Sequence, residues 1–349
     1  MKTNLGIKVF AIIVSIILLI PTSINWYSFL KRSFSDNADK NDTPDTSLEY
    51  TVLTDSNTTF MLLFDSTVAI GTCRLSQTKN ISIPEKVCIR GKEYTVTVIG
   101  KFAFKDCSNL TNIEIPESIE SIGGSAFEGC SNLTNIKIPE SVKSIGGSAF
   151  EGCSNLTNIV IPENVTEIGK SAFSGCSNLT NIEIPKSVKH IEYGTFNNCT
   201  HLTNIEISAF VESIGVFAFK GCSSLTNIVI PENVTEIGES AFSGCSNLTN
   251  IEIPKNVKQI EYGTFLGCSH LTNIEISAFV ESIGKFAFED CSGLTNIEIP
   301  KSVTDIGESA FEGCKNLDVV IDNSKDNVVV GEDAFRGCKS VRYNDRLKR

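Results

Sequence analysis

The cysteines of this chain fall on a ruler. Cys107, Cys130, Cys153, Cys176, Cys199, Cys222, Cys245, Cys268, Cys291 and Cys314 are each 23 residues apart, and Cys338 follows after 24. The text between them repeats as well: "SAFEGCSNLTNIKIPESVKSIGG" begins at Ser125, and "SAFEGCSNLTNI" begins again at Ser148. A fixed period of this length is the signature of a repeat array, in which each unit contacts only its neighbours. Eleven such units override the usual inference of domain count from a length of 349 residues.

Within one unit the apolar positions are equally fixed. From Cys130 onward they are Leu133, Ile136, Ile138, Val142, Ile145, Ala149 and Phe150, ending at Cys153. The stretch "NIKIP" alternates with period two, which predicts a short strand with Ile136 and Ile138 facing inward. Pro139 ends it, since proline cannot donate to a ladder. Gly146-Gly147 supplies a bend, and "SAFEGC" has room for no more than a turn of helix, α or 3-10. One coil cannot bury its own apolar side. Stacked coils can, each strand bonded to the same strand of the next at ~4.8 Å, so that Ile lies on Ile, Phe on Phe and Cys on Cys. The predicted fold is a mainly parallel-β solenoid of about eleven coils with atypical ends.

The pattern "IPxxVxxIGxxAFxGCxxLTxIxIP" closely resembles the BspA-like, treponemal-type class of leucine-rich repeats. The resemblance covers residues 81–341, and "KEYTVTVIGKFAF" from Lys92 looks like the opening coil of such proteins. It implies a leucine-rich-repeat solenoid displayed on a cell surface, and a part in adhesion to host or extracellular-matrix proteins or in aggregation between cells. A larger period lies on top. Residues 160–228 and 229–297 are near-copies 69 residues apart, three coils each, and "IEISAFVESIG" occurs at Ile205 and again at Ile274.

Outside the array the chain changes character. Residues 1–32 hold a short basic start, the apolar run Val9–Ile20 and then Trp26, Tyr27 and Lys31-Arg32, a pattern that reads as a signal peptide or an N-terminal membrane anchor. Residues 33–47 read as a flexible polar stalk, 48–80 as a β-rich N-terminal cap and 342–349 as a basic tail. The net charge of −11 argues against nucleic acid as the partner, because phosphate binding needs clustered Lys and Arg.

Catalytic sites need convergent, unlike residues, and this sequence offers columns of like ones. His201 and His270 are copies of one coil position, and His190 becomes Gln259 in its copy. There is no phosphate-binding loop, zinc motif or calcium loop, so neither an enzyme nor a cofactor or metal is expected. The column cysteines read as small buried apolar residues, and Cys73 and Cys88, outside the column, as the disulfide pair.

What remains is surface. The outward position of "NIxIP" forms a column of Glu114, Lys137, Val160, Glu183, Glu206, Val229, Glu252, Glu275 and Glu298. Beside it runs an unbroken asparagine column from Asn112 to Asn296, whose amides are expected to ladder along the stack. A second candidate contact is aromatic: Tyr193, Phe210 and Phe217, repeated as Tyr262, Phe279 and Phe286, replace Gly or Ser of sister coils, and Tyr193 is placed to touch Phe217. The "NLT" sequons at Asn109, Asn132, Asn155, Asn178 and Asn247 are glycosylation acceptors only in a eukaryotic secretory pathway, and turn-formers otherwise. The expected function is protein binding by a monomer at the cell surface, touching membrane only through its N-terminal segment. The rival is a passive structural spacer without a specific ligand.

Overall fold

The computed structural model describes residues 49–51, 58–63, 67–73, 79–89 and 91–344. Residues 1–48, with the leader and stalk expected there, and 345–349 lie outside the described residues. From Asn80 onward the chain is a solenoid, its coils 23 residues long between Asn112 and Asn296 and of other lengths at the two ends, and each regular coil has three sides. The first is a three- to four-residue strand such as Asn135–Lys137, the second a two-residue strand such as Ser144–Ile145, and the third a turn such as 148–153. Stacking makes a front sheet, a side sheet and a turn side, all parallel and in register: Asn135, Ile136 and Lys137 pair with Asn158, Ile159 and Val160 of the next coil.

The interior is built of columns. Phe104, Phe127, Phe150, Phe173, Phe196, Phe219, Phe242, Phe265, Phe288 and Phe311 are fully buried, and adjacent rings stack face to face with centroids 5.0–5.7 Å apart. Burying one such side chain contributes ~1.5–3 kcal/mol, and no coil achieves it alone. Beside the rings runs the cysteine column, and from Cys130 onward each thiol donates to the carbonyl of the phenylalanine one coil back, as Cys153 Sγ does to Phe127 O at 3.1 Å. Burial pushes the thiols up, Cys199 and Cys245 to about 12. The cysteines therefore satisfy a backbone acceptor as well as filling space, and the buried ones carry free thiols.

The third side is not helical. Ser148 and Gly152 both have positive φ, +54° and +71°, and the same pair recurs as Ser125 and Gly129 or Ser171 and Gly175. A left-handed residue at each end leaves Ala-Phe-Glu no room to propagate a right-handed helix. Among the described residues the one helical element is the 3-10 turn Lys325–Asn327, in the last, longer coil. Beside isolated turn bonds such as Cys153 N to Phe150 O, the turn side bonds coil to coil, Phe127 N to Ala149 O and Phe150 N to Ala172 O, through ten unbroken rungs from Phe104 to Ala334.

The N-terminal end is closed by strands. Thr67–Cys73 pairs in parallel with Lys92–Ile99, whose end in turn pairs with Ser121–Ile122 of the side sheet, and Lys86–Ile89 folds back on Lys92–Ile99 as a hairpin about Gly91. This topology corrects the expected disulfide. Cys88 pairs with Glu93 at one end of Lys92–Ile99, whereas Cys73 lies beyond Ile70, which pairs with Ile99 at the other end. Six residues of strand put ~20 Å between them, against the ~7 Å that a disulfide permits between Cα atoms. Cys88 is an exposed free thiol.

Candidate functional site

The front sheet presents the predicted column as a flat outer row. Glu183 pairs in register with Glu206, and Glu252 with Glu275, so like charges face each other at the strand spacing. Glu114, Lys137, Glu183, Glu206, Glu252, Glu275 and Glu298 are all exposed, and Val160 and Val229 stand 77% and 80% exposed among them. Lys137 reaches Glu117 at 3.4 Å. None of the ion pairs among the described residues engages Glu183, Glu206, Glu252, Glu275 or Glu298. The side sheet behaves differently. One of its columns alternates Lys, Glu and Thr, and there the carboxylates are neutralised across the coil boundary, Lys143 with Glu120 at 2.7 Å, Lys189 with Glu212 at 3.0 Å and Lys258 with Glu281 at 3.5 Å, whereas Glu167, Glu236 and Asp305 on the side strands join none of these pairs.

The expected asparagine ladder is in a different place. Front-sheet asparagines turn to the threonine of their own coil, Asn181 Nδ2 to Thr180 Oγ1 at 3.0 Å and Asn250 Nδ2 to Thr249 Oγ1 at 3.1 Å. A hydroxyl one residue away is nearer than an amide one coil away. The threonines carry the ladder instead, with the hydroxyls of Thr134, Thr157, Thr180, Thr203, Thr249 and Thr272 each donating to the carbonyl of the threonine one coil back, as Thr203 does to Thr180 O at 3.2 Å. Amides do ladder in the sequon column, from Asn178 to Asn155 and from Asn155 to Asn132, each at 3.2 Å.

The aromatics divide between two corners. Tyr193 and Phe217 meet edge to face at 5.5 Å, and their copies Tyr262 and Phe286 repeat the contact at 5.4 Å, both at 76°. Lys220 Nζ lies 4.8 Å from the Phe217 ring. Phe210 and Phe279 sit at the other end of the side strand, with Lys189 Nζ 5.5 Å from the Phe210 ring, and they are more exposed than the tyrosines. The structure thus brings two of the three residues of each set together and leaves the third on its own corner.

One pair of residues that the sequence reading passed over lies beside these aromatics. Most coils carry a glycine after the side strand, where a Cβ would meet the backbone of the coil below: at Gly146 it would lie 2.5 Å from Gly124 N, and at Gly238 2.5 Å from Val216 N. Two coils place Glu192 and Glu261 there. Burial, then the charges of Glu239 and Glu236, pushes the Glu261 carboxyl up. The signal was present as a glycine lost from a constant frame, but its meaning needs the clearance between coils.

The model for the BspA type leucine rich repeat region matches residues 97–226 and 212–342 with six copies, and the chain belongs to that family. Comparison with curated protein sequences gave no significant match. Among solved structures the chain is similar to a leucine-rich repeat protein of Bacteroides ovatus, at 30% identity and a TM-score of 0.47, covering 86% of this chain and 96% of that one. It is similar also to a leucine rich cell surface protein of Faecalibacterium prausnitzii, at 26% identity and a TM-score of 0.49, covering 81% and 97%. The pneumococcal vaccine antigen PcpA matches at 21% identity and a TM-score of 0.50, covering 87% and 83%, and bears on the fold alone. Leucine-rich repeats of this kind are protein-binding scaffolds, and no catalytic family is indicated. Among the described residues no helix is long and apolar enough to cross a membrane.

Proposed function

We propose that this chain is an exported surface protein that binds other proteins along its front sheet, adhering to host or matrix proteins or to neighbouring cells. Residues 1–32 would direct export or hold the chain to the membrane, residues 33–47 would act as the stalk, and 48–80 as the cap. One observation carries the reading: Glu183–Glu206 and Glu252–Glu275 stand in register without cationic partners, while Glu120, Glu212 and Glu281 of the side column each meet a lysine. Stacked like charges cost stability, so a face that keeps them repeated is paying for something other than folding. Many weak contacts along a rod sum by avidity when both partners are multivalent. The complementary partner surface is cationic, and the salt dependence of capture follows from that.

The test is capture of matrix proteins and whole cells by the bead-displayed chain, beside a variant with Glu183, Glu206, Glu252 and Glu275 changed to Lys. Selective capture that falls at least tenfold in the variant, and that weakens with salt, supports the reading. Equal capture by both overturns the front sheet as the contact, and no capture by either leaves the passive spacer as the better account.

A further inference from the structure

The side-sheet ladder is interrupted at two places, and both coincide with the glutamates that replace glycine. In the regular coils the residue after the side strand donates to the coil below, Gly146 N to Ile122 O, Gly169 N to Ile145 O, Gly215 N to Ile191 O and Gly284 N to Ile260 O, all at 2.7–2.8 Å. A second rung precedes it, Lys143 N to Glu120 O, Thr166 N to Lys143 O, Glu212 N to Lys189 O and Thr235 N to Glu212 O. Between the Cys176 and Cys199 coils neither rung forms, and His190–Ile191 does not pair with Glu167–Ile168. Between the Cys245 and Cys268 coils the same two rungs are missing, and Gln259–Ile260 does not pair with Glu236–Ile237.

The cause follows from clearance. A Cβ at the glycine position comes within 2.4–2.9 Å of the lower coil's backbone, at Gly123, Gly146, Gly238, Gly307 and Gly331 alike. Glu192 and Glu261 bring that Cβ, and the obstacle is backbone, so the coils stand apart on that side. The front sheet is thin at these steps, with the single pair Asn158↔Asn181 at the first and the isolated bridge Asn227↔Asn250 at the second, and it is interrupted one coil further on, where Asn204–Glu206 and Asn273–Glu275 pair with no strand above them. The phenylalanine stack is widest there, 5.7 Å for Phe173–Phe196 and 5.6 Å for Phe242–Phe265, against 5.0–5.5 Å at the other eight steps. The turn side does not give: Phe173 N still reaches Thr195 O, and Phe242 N reaches Thr264 O, each at 2.9 Å.

We propose that the solenoid is a jointed rod. Glu192 and Glu261 are wedges that open two seams in the side sheet, and the rod flexes at these seams about the continuous turn-side ladder. The blocks between seams are four, three and four coils, so the duplication that lengthened the array also copied its joint. Bending at a seam tilts one block's front glutamates relative to the next, which lets a long face follow a surface that is not straight. The inference rests on the ladder and holds whatever the front sheet binds.

Hydrogen exchange on the full-length chain in mild detergent reads it directly, since backbone amides without rungs open locally at low cost. In the wild type, the amides of 189–192 and 258–261 are expected to exchange at least tenfold faster than those of 143–146 and 212–215. The variant Glu192→Gly with Glu261→Gly should close both seams and slow those amides to the rate of the regular coils. The variant Glu192→Ala with Glu261→Ala keeps the Cβ and removes the charge, and its seams should stay open. Equal protection of seam and regular amides in the wild type would overturn the proposal. So would an alanine variant that protects as well as glycine, because the wedge would then not be the Cβ.

Discussion

The front sheet and the side sheet are built from the same coil and hydrogen-bonded in the same direction, yet the front column and the Lys-Glu-Thr column of the side handle charge in opposite ways. On the side, Glu120, Glu212 and Glu281 each meet a lysine one coil away. On the front, Glu183 meets Glu206 and Glu252 meets Glu275. In a stacked array any residue choice is multiplied by the coil number, so a mildly unfavourable neighbour becomes a column of them. The difference teaches that the interior carries the stability and the two faces are free to differ.

That dependence on the interior gives the largest expected effect, and it is set by pH. Burial holds the column thiols up, Cys199 and Cys245 at about 12 against 9.0 for an exposed thiol. Above pH 9 the unfolded chain releases protons that the folded chain keeps, so stability is complete below pH 9 and is lost as pH rises toward 12. Each thiol contributes up to ~1.4 kcal/mol per pH unit in that window. Denaturation at pH 8, 10 and 11 should show a loss of several kcal/mol, shallower in a variant with Cys199→Ala and Cys245→Ala. An equal slope in both would show that the column does not titrate this way, and front and side would then need another common support.

Next in size is a break in the ring stack. Phe219→Ala removes a fully buried ring from between Phe196 and Phe242 and should cost ~3–5 kcal/mol. In a repeat array that cost stays local. Exchange should therefore rise on the front and side strands of the Cys199, Cys222 and Cys245 coils together, with distant coils unchanged. A rise confined to one sheet would mean that the faces do not share one interior.

A smaller effect separates the faces by function. Reversing Glu183, Glu206, Glu252 and Glu275 to Lys should cut capture of a cationic partner at least tenfold in low salt. Reversing Glu120, Glu212 and Glu281 on the side should leave capture unchanged while removing three ion pairs. If both sets reduce capture alike, net charge and not the front sheet governs binding.

Much of this was legible in advance. The period, the inward Ile, Phe and Cys columns and the approach of Tyr193 to Phe217 follow from register alone, because stacking puts equal positions side by side. What register does not report is geometry between coils. The seams at Glu192 and Glu261 depend on the clearance between one Cβ and the backbone of the coil below. The thiol bonds to phenylalanine carbonyls, and the left-handed Ser148 that keeps "SAFEGC" from winding into helix, depend on backbone angles that composition does not carry. The Cys73–Cys88 pairing failed for a related reason: two cysteines outside a column are neighbours only if the topology says so.

The finest test weighs the two charge arrangements against each other. A double-mutant cycle on Lys189 and Glu212 should return a favourable coupling of ~0.2–1 kcal/mol, the ordinary value for an exposed pair. The front has no such partner to lose. Glu206→Gln should therefore raise stability, by ~0.2–1 kcal/mol, because it relieves a like-charge neighbour in register. Both effects should shrink in 1 M salt, where the Debye length falls to ~3 Å. If Glu206→Gln lowers stability at low salt, that glutamate is held by a favourable contact within the rod. The front column would then be a structural feature of the rod, its charge kept for folding and not for a partner.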